Sequence, residues 1–475
     1  MDYEAVIGLE VHVQLKTKTK AFCGCSTEFG RPANSQACPV CLGFPGSLPV
    51  LNQAALEFAI KAGLALNCRV WEFTKFDRKH YYYPDLPKNY QISQYDQPVA
   101  TNGFLDIEVS AKPKRIRIKR VHLEEDAGKL IHQESVSLVD YNRAGVPLLE
   151  IVSEPDIHSP EEARAYLTDL KSIVEYLEIS DCDMEKGSLR CDANISLREK
   201  GANTLGVKAE IKNMNSFKGV KDALTFEIER QNRLLKGGEI VIQETRLWDA
   251  HAMKTISMRS KEEAMDYRYF PEPDLPPFLI SREKVAFIKS SIPELPQEKV
   301  PRLMKDYALF EVEAKILASS KDNAAYAEKC FLAYGAGNKK IVANWLVGAM
   351  FSEANSRGLG LSGLRISPEA LISLIKFVEG GQISNLAAKF VLTEMIDSKK
   401  PAAEIIKEKN LGQISDVDAL EKHAEDVIKE NLKVAEDYRQ GKANAIMFLV
   451  GQVMKKSAGK ANPKVVQEIL KKKLS

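Results

Sequence analysis

One short segment of the chain, residues 139–151, concentrates side chains that do chemistry. An acid, an amide and the guanidinium of Arg143 come first, and Glu150 follows within the apolar run 148–152. A carboxylate carried into an apolar interior is costly unless a cation or a hydrogen-bond donor meets it. The segment therefore predicts that Glu150 faces a metal ion, an arginine or a substrate.

Four other segments alternate polar and apolar residues, as strands with one water-facing side do. The polar side carries Glu10 and His12 in residues 8–15, and Arg190 and Asp192 in residues 189–198. Two further strands add the following polar residues: Lys208, Glu210 and Lys212 in residues 207–212, and His122, Glu124, Glu125 and Asp126 at the end of residues 116–126. Such alternation is typical of an antiparallel sheet with one open face.

Any single strand of this kind can simply face water, and that alternative stays open. Taken together, however, these polar sides carry acids interleaved with arginine and lysine, and they lack the threonine and serine of a solvated sheet. Carboxylates gathered in this way repel one another unless a divalent cation lies among them. The pattern therefore predicts one metal site on the open face.

Oxygen ligands favour Mg²⁺ over Zn²⁺ at such a site. Histidine is a poor Mg²⁺ ligand, so His12 could instead touch a phosphate or bind through water. Basic residues beside Mg²⁺ suit a nucleoside triphosphate, and on pattern alone Arg190, Lys208 and Lys212 could meet its phosphates. Because the chain has neither a P-loop nor a G-x-G-x-x-G motif after a strand, the nucleotide is expected on the open sheet.

A second, separate motif is formed by Cys23, Cys25, Cys38 and Cys41, with the spacing C-x-C-x₁₂-C-x-x-C. Four thiolates at this spacing are typical of a structural zinc site, and free thiols are the alternative. The other cysteines are scattered and are expected in the core: Cys68, Cys182, Cys191 and Cys330.

Composition sets broad limits. The 475 residues are 44% hydrophobic and 28% charged, with a net charge of +2, which is ordinary for a globular protein of several domains. No apolar run reaches the roughly 18 residues of a membrane span, so no membrane association is expected. Eight cysteines in so long a chain do not suggest a disulfide scaffold, and with no export signal a cytoplasmic location is expected.

The chain changes character along its length. Residues 1 to about 290 are a mixture of strands and a few helices, among them a helix from 159–160 to about 178 that would cover the apolar face of the sheet. Proline-rich stretches at 270–277 and 292–296 indicate a domain exit, and the pattern is helical from Pro301 onward. We therefore predict an α+β fold, with a largely antiparallel N-terminal sheet followed by all-α regions.

Two further features could contact nucleic acid. From Arg439 to the end there are nine lysines and arginines and only one acid, Glu468, so this tail could bind a phosphate backbone or be merely solvated. Residues 80–90 are aromatic and basic, and could stack on a base or pack as a buried loop.

Several long stretches resemble one known family, the B subunit of the bacterial glutamyl/aspartyl-tRNA amidotransferase. They are residues 8–15, 80–94, 140–150, 185–192 and 267–274, and the resemblance runs essentially from end to end. It implies a cradle domain resembling glutamine synthetase (1–292), a helical domain (293–408) and a small helical tail that contacts tRNA (409–475).

The resemblance also implies a reaction, that of a ligase forming carbon–nitrogen bonds. ATP phosphorylates the side-chain carboxylate of Glu or Asp esterified to the wrong tRNA, and ammonia then displaces phosphate to give Gln-tRNA or Asn-tRNA. The implied partners are an amidase subunit that releases ammonia from glutamine, a small linking subunit that completes a heterotrimer, and the misacylated tRNA.

The resemblance implies that Glu10, Glu125 and Glu150 bind Mg²⁺, with His12 close by. Asp192 is a further candidate catalytic residue. Glu124 or Asp126 could replace Glu125, because the facing of the chain there is not settled by the pattern. Two other classes stay open: a glutamine-synthetase-like ligase for a free amino acid, and a non-catalytic zinc RNA-binding protein. The basic tail argues against the first, and the carboxylate cluster argues against the second.

Overall fold

The structure, a computed structural model, describes residues 2–260, 267–412, 417–440, 442, 444–457, 461 and 463–474. The chain divides into two compact units, residues 1–295 (unit 1) and 296–475 (unit 2). In the ranges just given, no helix is both long enough and apolar enough to cross a membrane.

Unit 1 is built on one nine-stranded sheet in the order β14-β13-β12-β11-β1-β10-β7-β6-β2. All neighbouring strands in it are antiparallel except the pair β12 and β13. The strands of the unit are β1 Tyr3–Gln14, β2 Arg69–Val70, β3 Phe73–Thr74, β4 Asp77–His80, β5 Tyr90–Ser93, β6 Ala100–Val109, β7 Lys112–Glu125, β8 Lys129–His132, β9 Ser137–Asp140, β10 Pro147–Ser153, β11 Leu189–Glu199, β12 Ala209–Lys212, β13 Glu244–Asp249, β14 Lys254–Ser260, β15 Phe270–Pro271 and β16 Phe278–Leu279.

The alternation predicted for β1 and β11 is confirmed, and it separates the two faces of the sheet. On β1, Leu9, Val11 and Val13 are buried in the core, while Glu10 and His12 lie on the opposite, open face. A strand has a side-chain period of two, so this register brings every open-face residue of one strand beside those of its neighbours.

Three helices of unit 1 help to close the apolar face: α1 Gln53–Ala65, α2 Pro160–Tyr176 and α3 Phe217–Lys236, with a fourth, α4 Arg282–Ser290, at the end of the unit. The predicted start of α2 is confirmed, since Ser159 accepts a hydrogen bond from the N–H of Glu162 at 3.2 Å and Pro160 is the first helical residue. Its buried side includes Tyr166, Leu167, Leu170, Ile173 and Val174. Each such side chain contributes about 1.5–3 kcal/mol on burial.

A smaller sheet carries part of the site. Its order is β15-β4-β5, and β15 pairs with β4 although the two are almost 200 residues apart in the chain. The guanidinium of Arg78 on β4 forms two hydrogen bonds, of 2.7 and 2.8 Å, with the buried carboxylate of Glu272 just after β15. This ion pair ties the segment that follows residue 266 to β4.

Helices dominate the residues of unit 2 that the structure describes. Its α-helices are α5 Pro296–Tyr307, α6 Glu311–Leu317, α7 Lys321–Tyr334, α8 Lys339–Trp345, α9 Phe351–Ser356, α10 Pro368–Glu379, α11 Asn385–Ser398, α12 Ala402–Glu408, α13 Val417–Glu430, α14 Leu432–Arg439, α15 Ala445–Lys456 and α16 Pro463–Leu474. A π-helical turn joins α8 to α9, and a 3₁₀ turn spans Leu361–Leu364.

The apolar side chains of unit 2 form two clusters, one between residues 303 and 405 and the other between 420 and 474. The predicted mixture of a largely antiparallel sheet followed by helices is therefore confirmed. The finer division into domains 1–292, 293–408 and 409–475 stays a prediction, as does the likeness of the first to a glutamine synthetase cradle.

Candidate functional site

Strands β1, β10 and β7 bring two histidines and three carboxylates together on the open face. The register places His12 opposite Glu150, and Glu150 opposite His122. The Nε2 atom of His12 lies 3.6 Å from both Glu10 and Glu150 and 3.9 Å from Glu124. The Nε2 atom of His122 lies 3.3 Å from Glu150 and 3.7 Å from Glu124. We call these five residues the acidic cluster.

The charges in the acidic cluster depend on one another. Burial opposes a proton on His122, but the carboxylates of Glu150 and Glu124 outweigh it and raise the pKa of His122 to about 9. Burial alone would raise the pKa of Glu150, yet the two histidines hold it well below its ordinary value. Burial and the nearby Glu150 raise the pKa of Glu10. Glu150 is thus the carboxylate that the positive charges of His12 and His122 stabilise most directly.

The acidic cluster fits a metal ion. Glu10, His12 and Glu150 form one set whose ligand atoms all lie within 4.8 Å of one another, and His122, Glu124 and Glu150 form a second. The Nδ1 atom of His122 is buried and, among the described residues, has no hydrogen-bond partner. The Nε atoms of Arg120 and Arg190, on the same face, share that condition. Buried polar atoms are rarely left unpaired, so these atoms point to a ligand or ordered water. Carboxylate oxygens suit Mg²⁺, and the imidazoles would equally accept Mn²⁺ or Zn²⁺.

The three consecutive acids at the end of β7 face three different environments. Glu124 joins the acidic cluster and accepts a hydrogen bond from the hydroxyl of Ser93 at 3.2 Å. Glu125 accepts hydrogen bonds from Lys88 and, at 2.9 Å, from the N–H of Ile92. The structure thus groups Glu124, and not the expected Glu125, with Glu150. A metal role for Glu125 stays a prediction.

The third acid, Asp126, forms ion pairs with two arginines. Its carboxylate accepts a hydrogen bond from Arg190 at 2.7 Å and another from Gln14 at 2.7 Å. Arg143 lies 3.7 Å away and donates to the carbonyls of residues 127 and 128. Burial alone would raise the pKa of Asp126, but Arg190 and Arg143 hold it below its ordinary value.

The two lysines predicted to meet phosphates, Lys212 and Lys208, differ in whether a carboxylate already pairs with them. Lys212 donates to Asp192 at 2.6 Å and lies 3.1 Å from Glu210, so its charge is already matched. Asp192 is the neighbour of Glu10 in the register of β1 and β11. Lys208 is exposed and lines a groove beside Glu10. Of the three predicted cations, therefore, only Lys208 is not hydrogen-bonded to a described carboxylate of this face.

Sequence reasoning missed Lys79, a half-buried residue of β4. Burial opposes its charge, but the electrostatic field of Glu124, Tyr269 and Glu150 outweighs burial and holds the pKa of Lys79 above its ordinary value. Its Nζ atom lies 5.0 Å from the ring centre of Tyr267. The clue was available, because Lys79 lies in a short run of charged residues just before the aromatic loop, but only the fold brings β4 to the acidic cluster.

The aromatic stretch 80–90 is neither wholly buried nor wholly free. His80 stacks on Phe270, with ring centres 4.8 Å apart, and the ring of Tyr90 lies 4.3 Å from the guanidinium of Arg78. Tyr82 and Tyr83 are exposed, with 61% and 53% of their surface accessible. The two exposed rings keep base stacking open as a prediction, while the ends of the stretch pack as structure.

The four cysteines of the predicted zinc site lie together, with all sulfur atoms within 4.8 Å of one another. The Sγ atoms of Cys38 and Cys41 are 3.9 Å apart, close to the ~3.8 Å expected for tetrahedral ligands at a Zn–S distance of ~2.3 Å. The hydrogen bond with Cys23, and the nearby ammonium of Lys20, lower the pKa of Cys41 to about 4. Donor type and spacing fit Zn²⁺, and the lowered pKa of Cys41 gives the cluster one thiolate donor.

A cavity of about 320 Å³ separates the cysteines from Lys88 and Glu125. Gly145 forms part of its wall in a turn with φ of +84°. A Cβ atom there would lie 3.4 Å from Cys41 and 3.7 Å from Glu125. The segment 139–151 therefore packs the cysteine cluster against the end of β7, which explains its glycine and its hydrogen-bonding side chains.

Comparison with known proteins gives a consistent result over the whole chain. Residues 5–286 match the family model described as the GatB/GatE catalytic domain, and residues 327–474 match the GatB domain. A protein of Carboxydothermus hydrogenoformans, named as the B subunit of an aspartyl/glutamyl-tRNA(Asn/Gln) amidotransferase, is 55% identical, with 100% of this chain and 99% of the relative aligned. Proteins of the same name from a Thermoanaerobacter species and from Persephonella marina are 53% and 52% identical, each with 100% of both chains aligned. The chain belongs to the family of aspartyl/glutamyl-tRNA(Asn/Gln) amidotransferase B subunits.

Proposed function

We propose that this chain is the activating and amidating subunit of a tRNA-dependent amidotransferase, a ligase that uses glutamine as amido donor. Its substrates would be Glu-tRNA(Gln) or Asp-tRNA(Asn), with ATP. The observation that carries the proposal is the acidic cluster: Glu10, His12 and Glu150 converge on an open sheet face, bordered by a groove that Lys119 and Lys208 line together with Glu154. This arrangement suits phosphoryl transfer, which depends on positioning and charge neutralisation more than on covalent chemistry by the protein.

The proposed reaction has two steps. A side-chain carboxylate oxygen of the esterified Glu or Asp attacks the γ-phosphorus of ATP, and ADP leaves with the electrons of the broken P–O bond. Ammonia then attacks the carbonyl carbon of the acyl phosphate, inorganic phosphate leaves, and one proton is lost from nitrogen. The product is Gln-tRNA(Gln) or Asn-tRNA(Asn).

The residues of the acidic cluster have distinct roles in this scheme. Glu10, His12 and Glu150 would hold Mg²⁺, with Glu124 and His122 beside them, and Glu125 stays a predicted ligand. The ion would supply charge neutralisation at the phosphates. Lys79, whose charge is stabilised by Glu124 and Glu150, is positioned to offset negative charge on the incoming carboxylate or phosphate. Asp192 orients Lys212 through their 2.6 Å hydrogen bond, beside Glu10.

Three further parts of the proposal lie outside the acidic cluster. Zn²⁺ bound by Cys23, Cys25, Cys38 and Cys41 would be structural, holding the wall of the cavity beside Glu125. The basic tail, residues 409–475, would bind the body of the tRNA. An amidase subunit and a small linking subunit would complete a heterotrimer, the amidase supplying ammonia.

Two alternatives considered from the sequence are less well supported. A ligase for a free amino acid does not explain relatives whose names specify aminoacyl-tRNA substrates. A non-catalytic zinc RNA-binding protein does not explain four titratable side chains gathered around buried Glu150. The proposal that includes both tRNA and phosphoryl chemistry accounts for both observations.

The test replaces Glu150 with alanine in the assembled enzyme and measures transamidation of Glu-tRNA(Gln). Loss of a ligand of such an ion removes several kcal/mol of transition-state stabilisation, which at ~1.4 kcal/mol per tenfold is ~100-fold or more in rate. The loss is expected with glutamine and with saturating ammonium chloride alike, because activation precedes amide formation. Glu199→Ala, at the exposed end of β11, is the matched control and should keep wild-type activity.

Comparing glutamine with ammonium chloride as the nitrogen source distinguishes a role in activation from a role in ammonia delivery. If Glu150→Ala is slow with glutamine but normal with ammonium chloride, the residue serves ammonia delivery and the activating role is wrong. Wild-type rates under both conditions would remove the acidic cluster from the mechanism altogether.

A further inference from the structure

Lys20, which precedes the first cysteine of the predicted zinc site, is fully buried, with 0% of its surface exposed. Lysine is almost never buried in this way without a partner, because an unmatched ammonium in the interior is costly. The Nζ atom of Lys20 donates hydrogen bonds to the Sγ atom of Cys41 at 3.6 Å and to the carbonyl oxygen of Tyr141 at 3.1 Å. Both acceptors are unusual for a buried lysine, since neither is a carboxylate.

The acid that lines the same cavity as Lys20 is already matched by other donors. Glu125 accepts hydrogen bonds from Lys88 and from the N–H of Ile92. Within the described ranges, Lys20 forms neither a hydrogen bond nor an ion pair with any carboxylate. Of its two hydrogen-bond acceptors, only the sulfur of Cys41 can carry a negative charge. The charge of this lysine is therefore directed at the four-cysteine cluster.

The backbone and the stem of Lys20 hold its ammonium in this position. Its N–H donates to the carbonyl of Cys25 at 2.9 Å, and the N–H of Ala21 donates to the carbonyl of Gly145 at 2.8 Å. The stem of the lysine passes over Gly145, where an added Cβ atom would lie 3.4 Å from Cδ of Lys20. Lys20 is thus fixed at both ends, by Cys25 at its backbone and by Tyr141 at its ammonium.

A zinc ion bound by four thiolates carries a net negative charge, because each coordinating thiol is deprotonated. This charge would lie largely out of water, since Cys41 is buried and the other three cysteines are half-buried. A cation in hydrogen-bond contact with one of the sulfur atoms offsets the charge. Such partners outside the ligand set strengthen metal binding in proteins.

We propose that Lys20 is the counter-cation of the zinc site: it stabilises the zinc-bound thiolate of Cys41 and thereby strengthens metal binding. It is a positioning residue and not a ligand, because an ammonium group has no lone pair to offer the metal. The inference rests on the zinc-binding part of the proposed function. It adds a residue outside the C-x-C-x₁₂-C-x-x-C motif on which the affinity of the site depends.

Substitutions in the fully assembled enzyme separate the charge of Lys20 from its packing. Lys20→Met removes both the charge and the N–H donors, Lys20→Gln keeps an N–H donor without the charge, and Lys20→Arg keeps both. Lys18→Met is the matched control, because Lys18 belongs to the same stretch of chain but is exposed.

Metal binding is followed with Co²⁺, which shows a sulfur-to-metal charge-transfer band in the near ultraviolet when thiolates coordinate it. The acidic cluster contains no cysteine, so this band reports on the four cysteines and not on that cluster. The metal-free enzyme is titrated with Co²⁺, and the bound Co²⁺ is then displaced with Zn²⁺. The titration and the displacement compare the affinity of each variant for the two metals.

Lys20→Met and Lys20→Gln should bind Zn²⁺ at least ~10-fold more weakly than wild type, within the ~10–100-fold range for loss of a partner outside the ligand set. Lys20→Arg should stay within about threefold of wild type because it keeps the charge. Lys18→Met should stay within about twofold, since an exposed charge is screened by solvent and salt. The charge-transfer band should move to lower energy in Lys20→Met and Lys20→Gln, because no cation then stabilises the electrons of the sulfur.

The outcomes separate this inference from the zinc site on which it rests. If Lys20→Gln binds Zn²⁺ like wild type, or binds it more weakly with an unchanged band, the charge of Lys20 does not act on the metal and the inference is wrong. Equal losses in Lys20→Arg and Lys20→Met would overturn it as well. Lys20→Gln decides the question even if Lys20→Met does not fold, because glutamine can still donate to the carbonyl of Tyr141. If the wild-type enzyme shows no charge-transfer band with Co²⁺, the proposed zinc site itself fails.

Discussion

Replacing Arg78 with methionine should destabilise unit 1 by about 3–5 kcal/mol, the range for removing one partner of a buried ion pair. The Glu272 residue is only 3% exposed, and its carboxylate accepts two hydrogen bonds from Arg78, of 2.7 and 2.8 Å. Methionine replaces the aliphatic stem of the arginine side chain but leaves this carboxylate buried without a cation. The cost therefore comes mainly from the uncompensated charge rather than from lost packing.

The opposite substitution should cost less, because the two partners are not equally buried. In Glu272→Gln, the Arg78 side chain remains 18% exposed and keeps Asp274 at 3.0 Å and the ring of Tyr90 at 4.3 Å. We expect about 1–3 kcal/mol, the cost of weakening charged hydrogen bonds. The double variant Arg78→Met/Glu272→Met should be more stable than Arg78→Met alone, since it removes the stranded charge.

The measurement is the free energy of unfolding in urea, followed by tryptophan fluorescence. The chain has three tryptophans. A Trp345→Phe background leaves Trp71 and Trp248, both in unit 1, so that the signal reports on that unit. All variants are compared in this background at one pH near 7.5.

The unfolding free energies of the two single variants and the double variant show whether the buried charge is the main cause. If Arg78→Met and Glu272→Gln cost the same within about 0.5 kcal/mol, the buried charge is not the dominant cause. If the double variant is less stable than Arg78→Met, the pair contributes through packing, and the electrostatic reasoning above is refuted.

Two other predictions concern the zinc site and the tail. Protein purified without chelators should contain about one zinc per chain, and Cys41→Ser should lose it; zinc-free protein whose four thiols all react under native conditions would exclude the site. A deletion of residues 413–475 keeps Leu411, which packs against the apolar cluster between residues 303 and 405. The deletion should raise the KM for aminoacyl-tRNA and make this KM less dependent on salt concentration. Glutamine hydrolysis by the amidase partner without tRNA should barely change, and an unaltered salt slope would mean that the charge of the tail is only solvated.

The tail prediction has a structural complication. Lys456 pairs with Glu430 at 2.5 Å, and Lys473 lies 2.7 Å from Glu425, so two of the lysines are already matched by acids of α13. Lys460, which the sequence also indicated, lies outside the described residues. The positive surface available to tRNA is therefore smaller than the count of lysines suggests.

Local pattern was sufficient for much of the fold. The alternation in β1 and β11 predicted which side chains share the open face, and the Ser-Pro start of α2 predicted its first residue. The cysteine spacing predicted the four-sulfur cluster. These features succeed because strand period, helix capping and ligand spacing are properties of neighbouring residues.

Local pattern did not determine the directions in which the side chains of Glu124, Glu125 and Asp126 point. Alternation along β7 puts His122 and Glu124 on one face, but the strand ends at Glu125 and the pattern then stops constraining the chain. Lys88 and Ile92 hold Glu125, and Arg190 holds Asp126, all from distant parts of the sequence. Which acid meets Glu150 thus depends on partners that no local pattern identifies.

The sequence by itself determined the kinds of chemistry available, namely a carboxylate–histidine set on one sheet face and four cysteines at zinc spacing. Only the tertiary structure decided which of these residues meet, as the approach of Lys79 on β4 to Glu124 demonstrates. The physical reason is that strand order and register join residues far apart in the chain, such as His12 with Glu150 and Arg78 with Glu272. Their pairing is selected by burial and charge across the whole of unit 1, which no short stretch of sequence specifies.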